Sequence, residues 1–365
     1  MKNYLTNLKY LLDHGHDLRI GFFGGSITQG AGASVPEEAS WRALVRDWFR
    51  ETYSQSGIYE VNAAIGGTGS SLGVFRCEQD LLTGNPDLVF IEFAINDHQT
   101  ERERIIRCIE GIVRKIWKKN PLADIVFIYT TAKCMDELHK AGEKMGSIQA
   151  HQVVANHYGI PVIDVGEALY RQIVATTGNW DDYLPDTTHP NDRGYRIYAH
   201  EILSNLQKWL MYPVGTEKKP VVLASALDRK NYKTAGLLDS WTVTEEALPK
   251  GWIRLDQSLA RRYPHMIGSD LPGSRLKVRI RSTVIGIYWM MSPDSGDMAW
   301  RIDKSDPVRI SSWDRFCLNS SRAHYKILND SLPPGEHDLE IEVLEEKNPA
   351  SKGNWIRIGA FLVLK

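Results

Sequence analysis

The stretch IGFFGGSITQG, Ile20 to Gly30, breaks an apolar, β-prone run at two glycines and follows it with Ser26. A serine on a tight turn between a strand and a helix projects its hydroxyl beside helical N–H groups that favour negative charge, a setting suited to a nucleophile. A neutral serine needs a base. In DTTHP, Asp186 stands three residues before His189, so one loop can aim the carboxylate at Nδ1 and leave Nε2 for the serine. A tetrahedral intermediate also needs donors for its oxyanion. The backbone N–H groups of Ser26 and Gly67 and the side-chain amide of Asn96 can supply three. The chemistry these residue types suggest is acyl transfer through a serine ester. Other uses of the same loops fit less well. No Gly-Lys-Ser/Thr follows the turn, as a P-loop would require. IGGTGSSLG (Ile65–Gly73) lacks dinucleotide-loop spacing and follows the second strand-like run, not the first.

The fold has to bring those residues together. Nearly continuous apolar runs over Leu18–Gly24, Tyr59–Ile65, Asp87–Ile95, Asp124–Ala132 and Val162–Gly166 predict five strands covered on both faces. Segments with helical spacing lie between and after them. ERERIIRCIEGIVRKIWKKN sets Ile105, Ile109, Ile112 and Ile116 on one face, and GSIQAHQVVANHYG closes at Gly159. GYRIYAHEILSNLQKWL sets Tyr198, Ile202 and Leu206 on one side, with Trp209 or Leu210. The alternation predicts an α/β, flavodoxin-like, doubly wound parallel sheet of five strands, in which the loops leaving the carboxyl strand ends converge on one crevice. The segment VGTEKKP (Val214–Pro220) reads as a linker. Beyond it, SRLKVRIRSTVIGIYWMM, GEHDLEIEVLEE and NWIRIGAFLVL alternate apolar and polar residues and predict an antiparallel, jelly-roll-like β-sandwich. The expected division is therefore 1–213, a linker at 214–220, and a sandwich over 221–365.

Four blocks in this order, GGSIT, NAAIGGTG, AIND and DTTHP, make the chain up to about residue 210 resemble the SGNH (GDSL-like) hydrolases. The resemblance implies that Ser26 is the nucleophile and that Asp186 and His189 complete a triad with it. It also implies that Gly67 and Asn96 join Ser26 in the oxyanion hole. Counting from Asn62 selects Gly67 over Gly66. Two positions depart from the family pattern. Gly25 stands where the residue before the nucleophile is usually acidic, and Ala94 stands where a glycine usually precedes the block-three asparagine.

Lys+Arg total 44 against 45 for Asp+Glu, a net charge of -1 that offers no electrostatic case for nucleic acid or an anionic membrane. Cys77, Cys108, Cys134 and Cys317 have no CxxC or metal spacing. His14 with His16 and His151 with His157 are not arranged as a metal site either. No metal or other cofactor is expected, and serine acyl transfer requires none. No apolar run is long enough to span a bilayer and the first residues lack a signal-peptide core, so a cytoplasmic placement is expected.

Six of the eleven tryptophans follow the linker: Trp241, Trp252, Trp289, Trp300, Trp313 and Trp355. Indoles stack on the apolar face of a pyranose. Trp300 and Trp313, nearer turns, are the contact candidates there, whereas Trp289 and Trp355 read as packing residues. In the first domain Trp180 is either a loop anchor or an aromatic wall for substrate, and Trp41 and His98 are further candidates for the same cleft. An SGNH domain followed by a sandwich resembles bacterial carbohydrate O-acetylesterases, among them enzymes acting on mannan and xylan oligosaccharides. The resemblance implies a serine esterase that deacetylates such oligosaccharides through an acyl-enzyme on Ser26. It makes the sandwich a carbohydrate-binding-module-like domain able to complete the cleft. The alternatives are a lipase, lysophospholipase or thioesterase on the same machinery, and a non-catalytic carbohydrate-binding protein. The expected partner is an acetylated oligosaccharide; the sugar, the hydroxyl position and the oligomeric state are unspecified.

Overall fold

A computed structural model describes residues 4–213, 217–255 and 262–365. Residues 214–216 of the expected linker lie outside the described residues. Backbone contacts divide the chain into two compact units, Met1–Lys233 and Thr234–Lys365.

In the first unit five parallel strands, β1 (Leu18–Gly24), β2 (Ile58–Asn62), β3 (Leu88–Glu92), β4 (Asp124–Tyr129) and β5 (Val162–Asp164), form one sheet in the order β2-β1-β3-β4-β5. This is the flavodoxin-like doubly wound order, whose switch point lies between β1 and β3. β1 matches its apolar run residue for residue, because a central strand is covered on both faces. β2 and β3 stop short of theirs, at Asn62 and Glu92, and the apolar residues that follow run into loops at the carboxyl end of the sheet. β2 is an edge strand, and Tyr59 is 52% exposed, so the expectation of two covered faces fails there.

The helices follow their apolar spacing. Helix Arg102–Lys119 buries Ile105, Ile109, Ile112 and Ile116, with Glu103 in its first turn and Lys118 and Lys119 in its last, as the helix dipole favours. Helix Gly146–Tyr158 ends at Gly159, whose φ of 67° lies in the left-handed region. Helix Asp192–Leu210 is capped by the Asn191 side chain, which accepts from the N–H groups of Arg193 and Gly194.

Residues 217–233 run along the first unit as a strap. The N–H groups of Leu227 and Asp228 donate to the carboxylate of Glu110, a buried residue of helix Arg102–Lys119, at 2.6 and 3.0 Å. Asp228 pairs with Arg107 at 2.6 Å, and Val221 N–H donates to Pro121 at 2.8 Å. A buried carboxylate has to be met by donors, and this segment brings them. The second compact unit accordingly begins at Thr234 and not at residue 221.

Among the described residues the second unit holds ten strands: β6 (Ala235–Asp239), β7 (Ile253–Leu255), β8 (Met266–Ser269), β9 (Arg275–Arg281), β10 (Ile285–Met291), β11 (Asp297–Ile302), β12 (Val308–Ser311), β13 (Arg322–Asn329), β14 (Glu336–Val343) and β15 (Ile356–Leu364). One sheet runs β13-β10-β15-β8-β7, with β6 also on β15, and the other runs β12-β11-β14-β9. All named pairings are antiparallel. β9 alternates strictly: Leu276, Val278 and Ile280 enter the core, while Arg275, Lys277 and Arg279 face outward beside Glu342 and Asp338 of β14. Trp289 is a core residue, as its strand position suggested. Trp300, expected near a turn, lies within β11.

Candidate active site

Ser26 opens a short helix, Ser26–Gln29, directly after β1. Its Oγ lies 2.8 Å from His189 Nε2, and His189 Nδ1 lies 2.7 Å from Asp186 Oδ2. The other Asp186 oxygen accepts the backbone N–H groups of Thr188 and His189, each at 2.7 Å. Partial burial works against the Asp186 charge. The His189 N–H, the imidazole and the Thr188 N–H outweigh it and bring the carboxyl down to about 2. Asp186 is therefore anionic at any pH near neutrality. The relay can take the serine proton at Nε2 while the carboxylate holds the proton on Nδ1.

Three donors beside Ser26 have no protein partner among the described residues: its own backbone N–H, the N–H of Gly67 and the side-chain amide of Asn96. The N–H of Gly66, in contrast, donates to Gln29 Oε1 at 2.8 Å. Of the two glycines, only Gly67 keeps its N–H without a protein partner among the described residues. Gly67 has a φ of 71°, which glycine adopts without strain. The departure at Gly25 has a steric cause. A Cβ built on Gly25 would sit 2.1 Å from Asn96 Oδ1, so no side chain fits there with Asn96 in place. Removing the Asn96 amide should lower kcat by on the order of 10²- to 10³-fold, the usual cost of losing one oxyanion donor. Steady-state kinetics on Asn96→Ala checks this, and wild-type rates in a folded variant would remove Asn96 from the hole.

Residues 22–197 match the GDSL-like Lipase/Acylhydrolase family. That match takes in most of the first unit. The family's members are carboxylic ester hydrolases, and the GDSL-like unit here carries the serine, glycine, asparagine and aspartate–histidine blocks in one crevice. Across both units the chain is similar to the crystal structure of a two-domain esterase active on acetylated mannans, with 23% identity, 99% of this chain and 96% of that one covered, and a TM-score of 0.84. The same esterase co-crystallised with mannopentaose covers 99% of this chain and 95% of its own, at 23% identity and a TM-score of 0.82. At this identity the likeness is one of fold. No curated protein sequence matches the chain.

The GDSL-like site is braced by buried charges that the sequence reading missed. Arg76, in helix Ser70–Asp80, donates to the carbonyls of Gly24 (3.2 Å) and Ala63 (2.5 Å) and so joins the serine turn to the glycine loop. Arg42 Nε donates to Thr28 O at 3.3 Å. Asp97, beside Asn96, accepts Ser70 N–H at 2.8 Å and pairs with buried His151 at 2.9 Å. Ser34 donates through N–H and Oγ to Asp192, at 2.8 and 2.6 Å, and thereby ties the serine segment to the helix after His189. The only sequence signal for Arg42 and Arg76 was a charged residue among apolar neighbours of a helix.

Several candidate contact residues have other roles. Trp41 is a correction: it is fully buried, packs edge-on to Phe22 and Phe90, and belongs to the core, not to a cleft. Trp180 is half-buried against the same core and donates its indole N–H to Asp136 at 2.9 Å. His98 is exposed, with Nδ1 at 2.9 Å from Ile95 O. Trp300 and Trp313 are half-buried against the second unit's core. Among the described residues no group of three or more His, Cys, Asp or Glu could hold a metal, and no helix is long and apolar enough to cross a membrane.

Glu92, at the end of β3, is 1% exposed. Burial pushes its carboxyl up to about 7 from 4.5, against hydrogen bonds from Thr28 and Thr130 that favour the charge. Between about pH 4.5 and 7 the folded state thus keeps a proton that the unfolded chain has released, and stability falls as pH rises through that window. Glu92→Gln should flatten this part of the Tm-against-pH curve. Parallel curves for variant and wild type would contradict the assignment.

Proposed function

We propose that the chain is a serine esterase that removes O-acetyl groups from oligosaccharides derived from mannan or xylan. The observation that carries this reading is the continuous Ser26–His189–Asp186 relay beside three unpartnered donors. Ser26 Oγ attacks the acetyl carbonyl as its proton passes to His189 Nε2. The N–H groups of Ser26 and Gly67 and the Asn96 amide hold the oxyanion. The tetrahedral intermediate collapses, and His189 returns the proton to the departing sugar oxygen. Water, deprotonated by the same imidazole, then releases acetate from Ser26. The whole-length likeness to an esterase active on acetylated mannans supports an acetylated sugar as substrate and puts manno-oligosaccharides first among those to try. A cytoplasmic location and a sugar-binding role for the second unit belong to the same proposal.

The test is acetate release from acetylated manno- and xylo-oligosaccharides, with Ser26→Ala run beside the wild type. Release that disappears in the variant supports serine-dependent sugar deacetylation, and the relative rates rank the two sugars. Hydrolysis of aryl acetates without release from either sugar would keep the esterase and discard the substrate.

A further inference from the structure

The backbone of the serine turn is held from both sides by buried groups of opposite charge. Arg76 and Arg42 meet its carbonyls at Gly24 and Thr28, and the Tyr195 hydroxyl lies 2.7 Å from Ala31 O and 3.1 Å from Ile27 O. The opposite side of the turn, its amides, faces Glu92. The Thr28 and Thr130 hydroxyls donate to the two Glu92 oxygens at 2.8 and 3.1 Å, and the Gly25 and Thr28 amides favour its charge. Four donors from two separate loops therefore converge on one buried carboxyl. Two of them flank Ser26 in sequence. Position 25 supplies no acid of its own, and a side chain there would require Asn96 to shift, because its Oδ1 lies 2.1 Å from where a Cβ would sit.

We propose that Glu92 is the positioning residue of the nucleophile: by holding Thr28, two residues after Ser26, from the neighbouring strand it fixes the serine turn and with it the direction of Oγ towards His189. Glu92 touches neither substrate nor reacting atom. It acts through the turn. The reading rests on the serine esterase proposed above, and the strand itself supports it. β3 is buried along its whole length, and a charged residue ending such a strand costs stability unless something requires it.

The test uses Glu92→Gln, Thr130→Val and the double variant in the full chain, with p-nitrophenyl acetate as substrate so that sugar specificity plays no part. Glutamine matches the shape of glutamate but replaces one acceptor oxygen with a donor, so the four donors can no longer all be met. Displacement of a reacting group by fractions of an ångström should lower kcat by about ten- to a hundredfold, with KM within about twofold of wild type. Phosphonylation of Ser26 by a fluorophosphonate, which reads the serine directly, should slow by the same factor. Thr130→Val should give a smaller fall in the same direction. The double variant should be no slower than Glu92→Gln alone, because both changes act through one carboxyl. A kcat in Glu92→Gln within twofold of wild type overturns the proposal. So does a fall in kcat that comes only with a lower Tm and a higher KM, which marks a general structural role. Ser26→Ala, run alongside, separates the two levels: if it remains active the esterase reading itself fails, and if it is dead while Glu92→Gln is unimpaired only the role of Glu92 is lost.

Discussion

Ser26→Ala is expected to reduce kcat by on the order of 10⁵- to 10⁶-fold while leaving the fold intact. The side chain is the nucleophile of the proposed double displacement, and nothing beside it can take its place. Thr28 is fully buried and its hydroxyl is committed to Glu92. The oxyanion donors survive the substitution, because two are backbone N–H groups and the third belongs to Asn96. The variant should therefore retain a small rate enhancement over water, on the order of 10³-fold, from binding and charge stabilisation alone. His189→Ala should cost about as much, and the double variant little more than either, since serine and imidazole act as one unit. Aryl acetate hydrolysis and fluorophosphonate labelling measure both effects, with circular dichroism to follow the fold. Labelling that persists in Ser26→Ala would move the nucleophile elsewhere. Single losses that multiply in the double variant would mean that serine and histidine work independently.

The sequence makes some parts of this arrangement legible and hides others for physical reasons. β1 can be read to the residue because LRIGFFG is buried on both faces, so its composition and its limits are set by the same environment. β2 and β3 cannot be read so closely. Apolar residues continue past Asn62 and Glu92 into loops that are themselves buried, as at Ile65 and Phe93, and composition does not register where strand pairing stops. Ser26, Asn96, Asp186 and His189 are legible because their side-chain types suggest the chemistry proposed for them. Arg42 and Arg76 are not, since what they hold in the serine turn is backbone carbonyls, which have no residue identity to be noticed, and Glu92 is not, since its hydroxyl partners Thr28 and Thr130 stand far from it in the sequence. Gly25 lies between these cases. It stands out in the sequence as a missing acid, but only the structure shows that Asn96 Oδ1 lies where its side chain would begin. The strap over 217–233 is hidden in the same way. EKKPVVLASALDRKNYK has no period to assign it to either unit, and what holds it is Glu110, a carboxylate on the neighbouring helix.

Asp186→Asn should lower kcat by about 10⁴-fold, as expected when a triad carboxylate becomes an amide and the wrong histidine tautomer is held. The geometry here leaves the amide little choice of orientation. One carboxylate oxygen accepts two backbone N–H groups at 2.7 Å and the other meets Nδ1 at 2.7 Å. An asparagine has to keep its oxygen on the two N–H groups, because turning round would press its NH₂ against two donors. Its NH₂ then faces Nδ1 and donates to it. The imidazole is left with its proton on Nε2, pointing at a serine from which it can no longer accept one. Because the wild-type carboxyl is held at about 2, it does not titrate near neutrality. The deficit should therefore persist across the range from about pH 5 to 8 and not emerge only in acid. KM should change little, since Asp186 acts on the proton and not on the bound ester. The decisive measurement is kcat against pH for Asp186→Asn beside wild type, with the rate of fluorophosphonate labelling as an independent reading of serine reactivity. A variant within about tenfold of wild type throughout would mean that Nδ1 keeps its proton without the carboxylate. In that case Asp186 would be there to shape the Thr187–His189 loop through its two backbone hydrogen bonds, a job the asparagine oxygen can also do.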